Sequence, residues 1–283
     1  MRLDVRKTYK LYIGGKFPRS ESGYTYKVND HKGDFLANVA KASRKDARDA
    51  VVAARAAQAG WAGATAYNRG QILYRIAEML EGRRSQFVAE IRALSGKTEK
   101  QANQEVEAAI DSWVWHAGWS DKIDAVAGNM NPVAGPFFNI STLQPSGVVA
   151  IVAPQNSGLV GLVNSIAPAI VSGNTVVVIA SESNPLPAVT LAEVLATSDL
   201  PGGVVNLLTG KESDVTGWLA KHQDVNAVDL EGSKSAVEHE MDAAQTLKRV
   251  IRPGSFPRGG SKGTLAHITS LMEVKTVWHP KGY

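Results

Sequence analysis

From residue 147 onward, short apolar runs alternate with segments of helical length. GVVAIVA reads as a strand, GLVNSIAPAIVSG as a helix closed by Gly173, and NTVVVIA as a second strand. PAVTLAEVLATSDL, GVVNLLTG, VTGWLAKH and VNAVDLEG continue helix, strand, helix, strand. Strands made of consecutive Val, Ile and Leu are buried on both faces, and this alternation implies right-handed crossovers. The fold class that follows is α/β, with a Rossmann-like, doubly wound parallel sheet. A last helical pattern, SAVEHEMDAAQTLKRV, puts Val237, Met241, Ala244 and Leu247 on one face.

Before this core, LYIGGKF at 11–17 alternates around a Gly-Gly turn and predicts a short hairpin; YTYKVND predicts a strand. Ser43 is a good N-cap for the helical SRKDARDAVVAARAAQAGWA. NRGQILYRIAEMLEGRRSQFVAEIRALSG holds two more helices, the second ending at Gly96, and KTEKQANQEVEAAIDSWVWHAGWSDKI gives a long one. Its Trp113, Trp115 and Trp119 are read as packing residues. Residues 134–146, AGPFFNISTLQPS, predict a β-hairpin. Beyond Val250, IRPGSFPRGGSKGT reads as an irregular linker and MEVKTVW as a strand. Such a strand has no sequence neighbour, so it must reach back to another sheet or out to another chain.

Composition sets further limits. The 283 residues can build one large α/β domain or two small ones. The net charge of +4 is dispersed among acidic residues, with no basic stripe interleaved with aromatics, so no nucleic-acid partner is expected. The chain has no cysteine, which excludes disulfides, zinc-thiolate sites and thiol catalysis. The start, MRLDVRKTYKLYIGG, lacks an apolar signal core. The apolar stretch 147–180 is broken by Pro154, Gln155, Asn156, Asn164, Pro168, Gly173 and Asn174, so no membrane association is expected and a cytoplasmic location is the default.

Several motifs fail on inspection. SGKT at 95–98 has Ile91 where a phosphate loop needs glycine. HEMDA at 239–243 lacks the second histidine of a zinc helix, leaving His239 as a solvated helix residue and no metal site. No G-x-S-x-G or G-x-G-x-x-G follows a strand. VAPQNSG at 152–158 places Asn156 at a strand-to-helix turn, where an amide can donate to a reacting group, yet no nucleophile stands out.

The ordered segments LYIGGKF, AVVAARAAQAGWA, SGKT, AGWSDKI, PSGVVAIVAPQN, IAPAIVSGNTVVV, DLPGGVVNLLTG, HQDVNAVDLEGS and LKRV together resemble the aldehyde dehydrogenase superfamily. The chain is similar to a short form without the catalytic domain, like the cysteine-less second unit of the type 16 aldehyde dehydrogenases. The resemblance implies an NAD(P) site at Pro154, Gln155, Asn156, Ser181, Glu182, Gly210, Gly232 and Ser233, and assigns Asn156 the role of a remnant oxyanion donor. It also implies losses. Pro253 stands where the general-base glutamate belongs, and Ile179 replaces the lysine that reaches the adenosine ribose. Val237 replaces a glycine beyond the turn LEGS, where Glu231 replaces a small neutral residue. Glu212 replaces the second glycine of the loop near the adenosine phosphate. One positive charge lost and two negative charges gained are expected to weaken or abolish NAD(P) binding, each misplaced charge costing on the order of 2 kcal/mol before screening.

The implied organisation is an N-terminal hairpin and helical layer at 1–133, an oligomerisation hairpin at 134–146, a coenzyme-domain core at 147–252, a linker at 253–264 and a terminal oligomerisation strand at 265–283. With the dimer helix 235–249, the resemblance points to a non-catalytic structural or regulatory subunit of a full-length NAD-dependent aldehyde dehydrogenase. The alternatives are an NAD(P)-dependent oxidoreductase acting on aldehydes within a mixed oligomer, and a homo-oligomer that keeps the cleft for another ligand.

Overall fold

The computed structural model describes residues 7–282. Strands β1 (Thr25–Asn29) and β2 (Phe35–Ala40) form an antiparallel ribbon. Four helices follow: α1 (Arg44–Gly63), α2 (Ala66–Glu81), α3 (Arg84–Ser95) and α4 (Glu99–Trp119). Side chains mark their starts. Ser43 and Asp46 form a capping box, as do Thr98 and Gln101, and Thr65 caps α2. Gly96, at φ 68°, ends α3 in the left-handed region. SGKT is therefore a helix stop followed by a helix start. Trp113 is fully buried, and Trp115 and Trp119 pack against the same core.

The expected hairpin at 11–17 is reduced to a tight turn, with a single bridge between Ile13 and Lys16. The segment instead docks on the main sheet. Tyr12 and Leu207 exchange both backbone hydrogen bonds, and the Gly14 N–H donates to Asn206. A Cβ on Gly15 would lie 2.9 Å from the Gly202 Cα, so backbone meets backbone here and leaves no room for a side chain.

After α5 (Ile123–Ala127) and strands β3 (Asn129–Asn131) and β4 (Phe137–Pro145), the core alternates as its composition requires. The order is β5 (Val148–Val152), α6 (Val160–Val171), β6 (Thr175–Ile179), α7 (Leu186–Ala196), β7 (Val205–Leu208), α8 (Glu212–Lys221), β8 (Ala227–Asp229), α9 (Ala236–Ala244) and β9 (Arg249–Ile251). All five strands are parallel, in the order β7-β6-β5-β8-β9. Every residue of β5, β6, β7 and β8 is buried. The chain is α/β with a doubly wound sheet.

Helix α9 is shorter than its pattern predicts. It stops at Ala244, Leu247 takes φ 52°, and the last residues become β9. Val237, Met241 and Leu247 remain exposed. Residues 134–146, expected as a hairpin, supply one strand, β4, whose short partner β3 precedes it.

Residues 252–264 lead to α10 (Leu265–Ser270) and β10 (Met272–Pro280). The terminal strand reaches back to its own chain, pairing antiparallel with β4 from Met272↔Pro145 to Pro280↔Phe137. The small sheet runs β10-β4-β3, so β10 forms an edge among the described residues. The expected linker is no loose tether. Arg258 within it is 8% exposed and bonded to the core.

Candidate functional site

The loops after β5, β6, β7 and β8 meet at the carboxyl ends of the strands, where doubly wound sheets place ligands. Pro154 is buried and Asn156 is exposed. Gln155 joins two loops: its Oε1 accepts from the Glu182 N–H at 2.9 Å, and its carbonyl accepts from the Ser181 hydroxyl at 2.9 Å. Glu182 lines an open cleft of about 360 Å³ with Tyr26, Lys27, Val28, Asn29, Gln155, Ser183 and Lys234. Burial and then the Glu182 charge raise the Tyr26 phenol above its ordinary value. Ile179 is the last residue of β6, 1% exposed, and offers no cation to this cleft.

Glu105 carries no signal in the sequence that would place it at this site. Its carboxylate on α4 accepts from the Ser157 hydroxyl at 3.1 Å and pairs with Lys97 at 2.6 Å. Ser157 in turn accepts from the Gly161 N–H at 2.9 Å. Helix α6 lacks a cap of its own, and this pair supplies one.

The turn LEGS links β8 to α9. A Cβ on Gly232 would lie 1.9 Å from the Ala153 carbonyl oxygen, so only glycine fits between these loops. Gly210 takes φ 129° before α8. The backbone donors of residues 232–235 are all taken within the chain. Gly232 N–H donates to Val152 O (2.9 Å), Ser233 N–H to Leu230 O (3.0 Å), Lys234 N–H to Glu212 Oε1 (3.1 Å) and Ser235 N–H to Ser233 Oγ (3.3 Å). Glu212 is 4% exposed, and its other oxygen lies 3.1 Å from the Thr216 hydroxyl, whose shorter bond, 2.6 Å, goes to the Glu212 carbonyl.

His239, expected on a solvated face, is 6% exposed. Its Nδ1 lies 2.8 Å from Ser233 Oγ, and its ring faces Gly217 of α8. Lys221 pairs with Asp242 at 3.1 Å, joining α8 and α9. The Glu231 carboxylate accepts from the Gly254 N–H at 2.9 Å and lies 3.8 Å from the Arg258 Nε. No group of three or more His, Asp or Glu side chains suited to a metal ion occurs among the described residues.

On the other flank, Arg258 bonds Asp229 at 2.7 Å, the Asn164 carbonyl at 3.0 Å and His267 Nε2 at 3.0 Å. Phe256 stacks on His267. Asn164 donates to the carbonyls of Arg258 and Gly260. Segment 252–264 is thereby stapled over the end of β8.

The family profile described as the aldehyde dehydrogenase family matches residues 17–253. This chain belongs to the aldehyde dehydrogenase family. A mitochondrial aldehyde dehydrogenase of Leishmania tarentolae is 35% identical over 277 residues, covering 94% of this chain and 54% of that protein. The 2-hydroxymuconic semialdehyde dehydrogenase of Pseudomonas sp. (strain CF600) is 33% identical, covering 90% of this chain and 53% of that protein. The solved NAD+ complex of an aldehyde dehydrogenase from Bacillus cereus superposes with TM-score 0.82 at 26% identity, covering 86% of this chain and 50% of that one. This aldehyde dehydrogenase homologue spans about half the length of the relatives it matches. No helix among its described residues is long and apolar enough to cross a membrane.

Proposed function

We propose that this chain is a non-catalytic subunit of the aldehyde dehydrogenase family that docks through its small sheet onto a full-length, NAD-dependent member. The observation that carries this reading is the edge of β10, nine residues long and without a partner strand on its outer side among the described residues. Pairing with β4 puts Ile140 and Val277 on one face, with Met130 and Phe138 beside them, all four exposed. An unpaired edge beside an apolar face favours association with another strand. The exposed Val237, Met241 and Leu247 add a second apolar patch around α9.

The chemistry agrees. The chain has no thiol to attack an aldehyde, and the family resemblance places Pro253 where the general base belongs, which leaves Asn156 without a reaction to assist. A full-length relative brings a catalytic domain that can receive the arm, and it is therefore the partner of this proposal. Affinity capture with a co-expressed full-length aldehyde dehydrogenase tests the proposal. A stable complex that elutes as a mixed oligomer, with no NADH formed from aldehydes by the lone chain, is the expected result. A self-contained homo-oligomer that ignores such enzymes, or NADH production by the purified chain alone, overturns it.

A further inference from the structure

The position that the family resemblance gives to the adenosine phosphate already holds an anion of the protein's own. We infer that the Glu212 carboxylate is an internal ligand, occupying the α8–α9 crevice in place of the dinucleotide phosphate. The proposal uses the assignment of that crevice to the family's nucleotide site and is independent of the subunit role.

A phosphate-binding turn works by leaving backbone N–H groups pointed at the ligand. In this chain the N–H groups of residues 232–235 are committed, and Glu212 Oε1 takes the one on Lys234, at 3.1 Å. Glycine at position 212 would leave that donor free. The carboxylate is not a mobile surface charge, being 4% exposed and bonded to the Lys234 N–H, with its second oxygen 3.1 Å from the Thr216 hydroxyl. The gap between the helices is filled too. His239 is buried against Gly217 and hydrogen-bonded to Ser233, and the Lys221–Asp242 pair ties the helices together. The residues present do not fit a dinucleotide: an entering phosphate must displace a bonded carboxylate of its own sign.

The arrangement differs from simple repulsion in its consequence. A repelled ligand meets a free donor, whereas here the Lys234 N–H is satisfied without ligand, and one substitution frees it. Titration with NAD+ and NADP+, read by calorimetry and by thermal shift, compares the intact chain with Glu212→Gly and Glu212→Gln. The Glu212→Gln variant keeps an acceptor for Lys234 but loses the charge. The expected order of affinity is therefore Glu212→Gly, then Glu212→Gln, then the intact chain. Glu212→Gly should gain about tenfold or more over the intact chain, a difference of about 1.4 kcal/mol. A folded Glu212→Gly variant that binds no better than the intact chain overturns the inference. If Glu212→Gly does not fold, the Lys234 amide resonance of the intact chain decides. Its proton must exchange slowly with solvent, as a bonded N–H does; free exchange in the intact chain overturns the inference equally.

Discussion

Arg258 Nη2 lies 2.7 Å from Asp229 Oδ2, joining residues 29 apart in sequence with both side chains buried. Asp229 ends β8, where the sheet offers its ligand edge, and Arg258 comes from the segment after the core. Burial pushes the Asp229 carboxyl above its usual range, while Arg258 and the Glu231 N–H pull it back. The pair fixes residues 252–264 over that edge.

Removing either partner strands the other charge in the interior. Arg258→Met is therefore expected to destabilise by about 3–5 kcal/mol, the usual cost of breaking a buried ion pair. The loss should be seen as a lower urea midpoint with segment 252–264 newly open to proteolysis. Unchanged stability would mean that the segment is not held by this contact.

Two buried histidines make the fold acid-sensitive. Burial holds His116 down to about 4, and burial with the Arg258 charge holds His267 down to about 2. His267 accepts from Arg258 while neutral and lies 3.9 Å from Asp229, with His116 acting on it as a further charge when protonated. Both folded values lie below the unfolded one of about 6.5, so the unfolded chain takes up protons first. The stabilisation is complete above about pH 6.5 and is lost as pH falls, by about 1.4 kcal/mol per unit for each histidine. The His116 share runs down to about pH 4 and the His267 share continues below it. Thermal melts between pH 7 and 4.5 should show this slope, and His116→Gln should remove about half of it.

Gly232→Ala tests the closeness of the two loops. A Cβ there meets the Ala153 carbonyl oxygen at 1.9 Å, with backbone on both sides and no flexible side chain to yield. A loss of about 1–3 kcal/mol or more is expected from such overpacking. Calorimetry should show it as a lower melting temperature of the whole domain, not of one local transition.

These contacts divide sharply by whether they leave a trace in sequence. The parallel core is legible because β5 and β6 are apolar at nearly every position, a pattern that few elements other than a doubly covered strand produce. The start of α1 is legible because Ser43 caps it locally, and in the structure Thr65 and Thr98 cap α2 and α4 in the same way. The end of α9 is not. DAAQTLKRV keeps helical composition, and only the pairing of Arg249–Ile251 with β8 turns it into strand. Segment 252–264 reads as a linker because its Gly, Pro and Ser content is what local rules see. Its order comes from one arginine reaching Asp229, Asn164 and His267, which no local pattern encodes. His239 reads as solvated for the same reason: helical spacing does not show that α8 lies over it. The resemblance marks Glu212 and Glu231 as departures from the family pattern, but only geometry shows both bonded to backbone N–H groups.

The small sheet separates folding from association, which allows a clean test of the docking edge. Val277 faces outward on β10 opposite Ile140 and is 47% exposed, so it contributes little to the interior. Val277→Glu should therefore shift stability by no more than about 0.5 kcal/mol, the usual range for surface changes. The same charge placed in a dry subunit contact must be desolvated without a partner, at a cost of several kcal/mol. Association with a full-length relative should then weaken by about a hundredfold or more, a loss of about 2.7 kcal/mol. Sedimentation velocity on the mixed sample reads the association, and the melting temperature of the lone variant reads the fold. If association survives the added charge, this face is not the one that docks; if the lone variant melts early, Val277 belongs to the core instead of the surface.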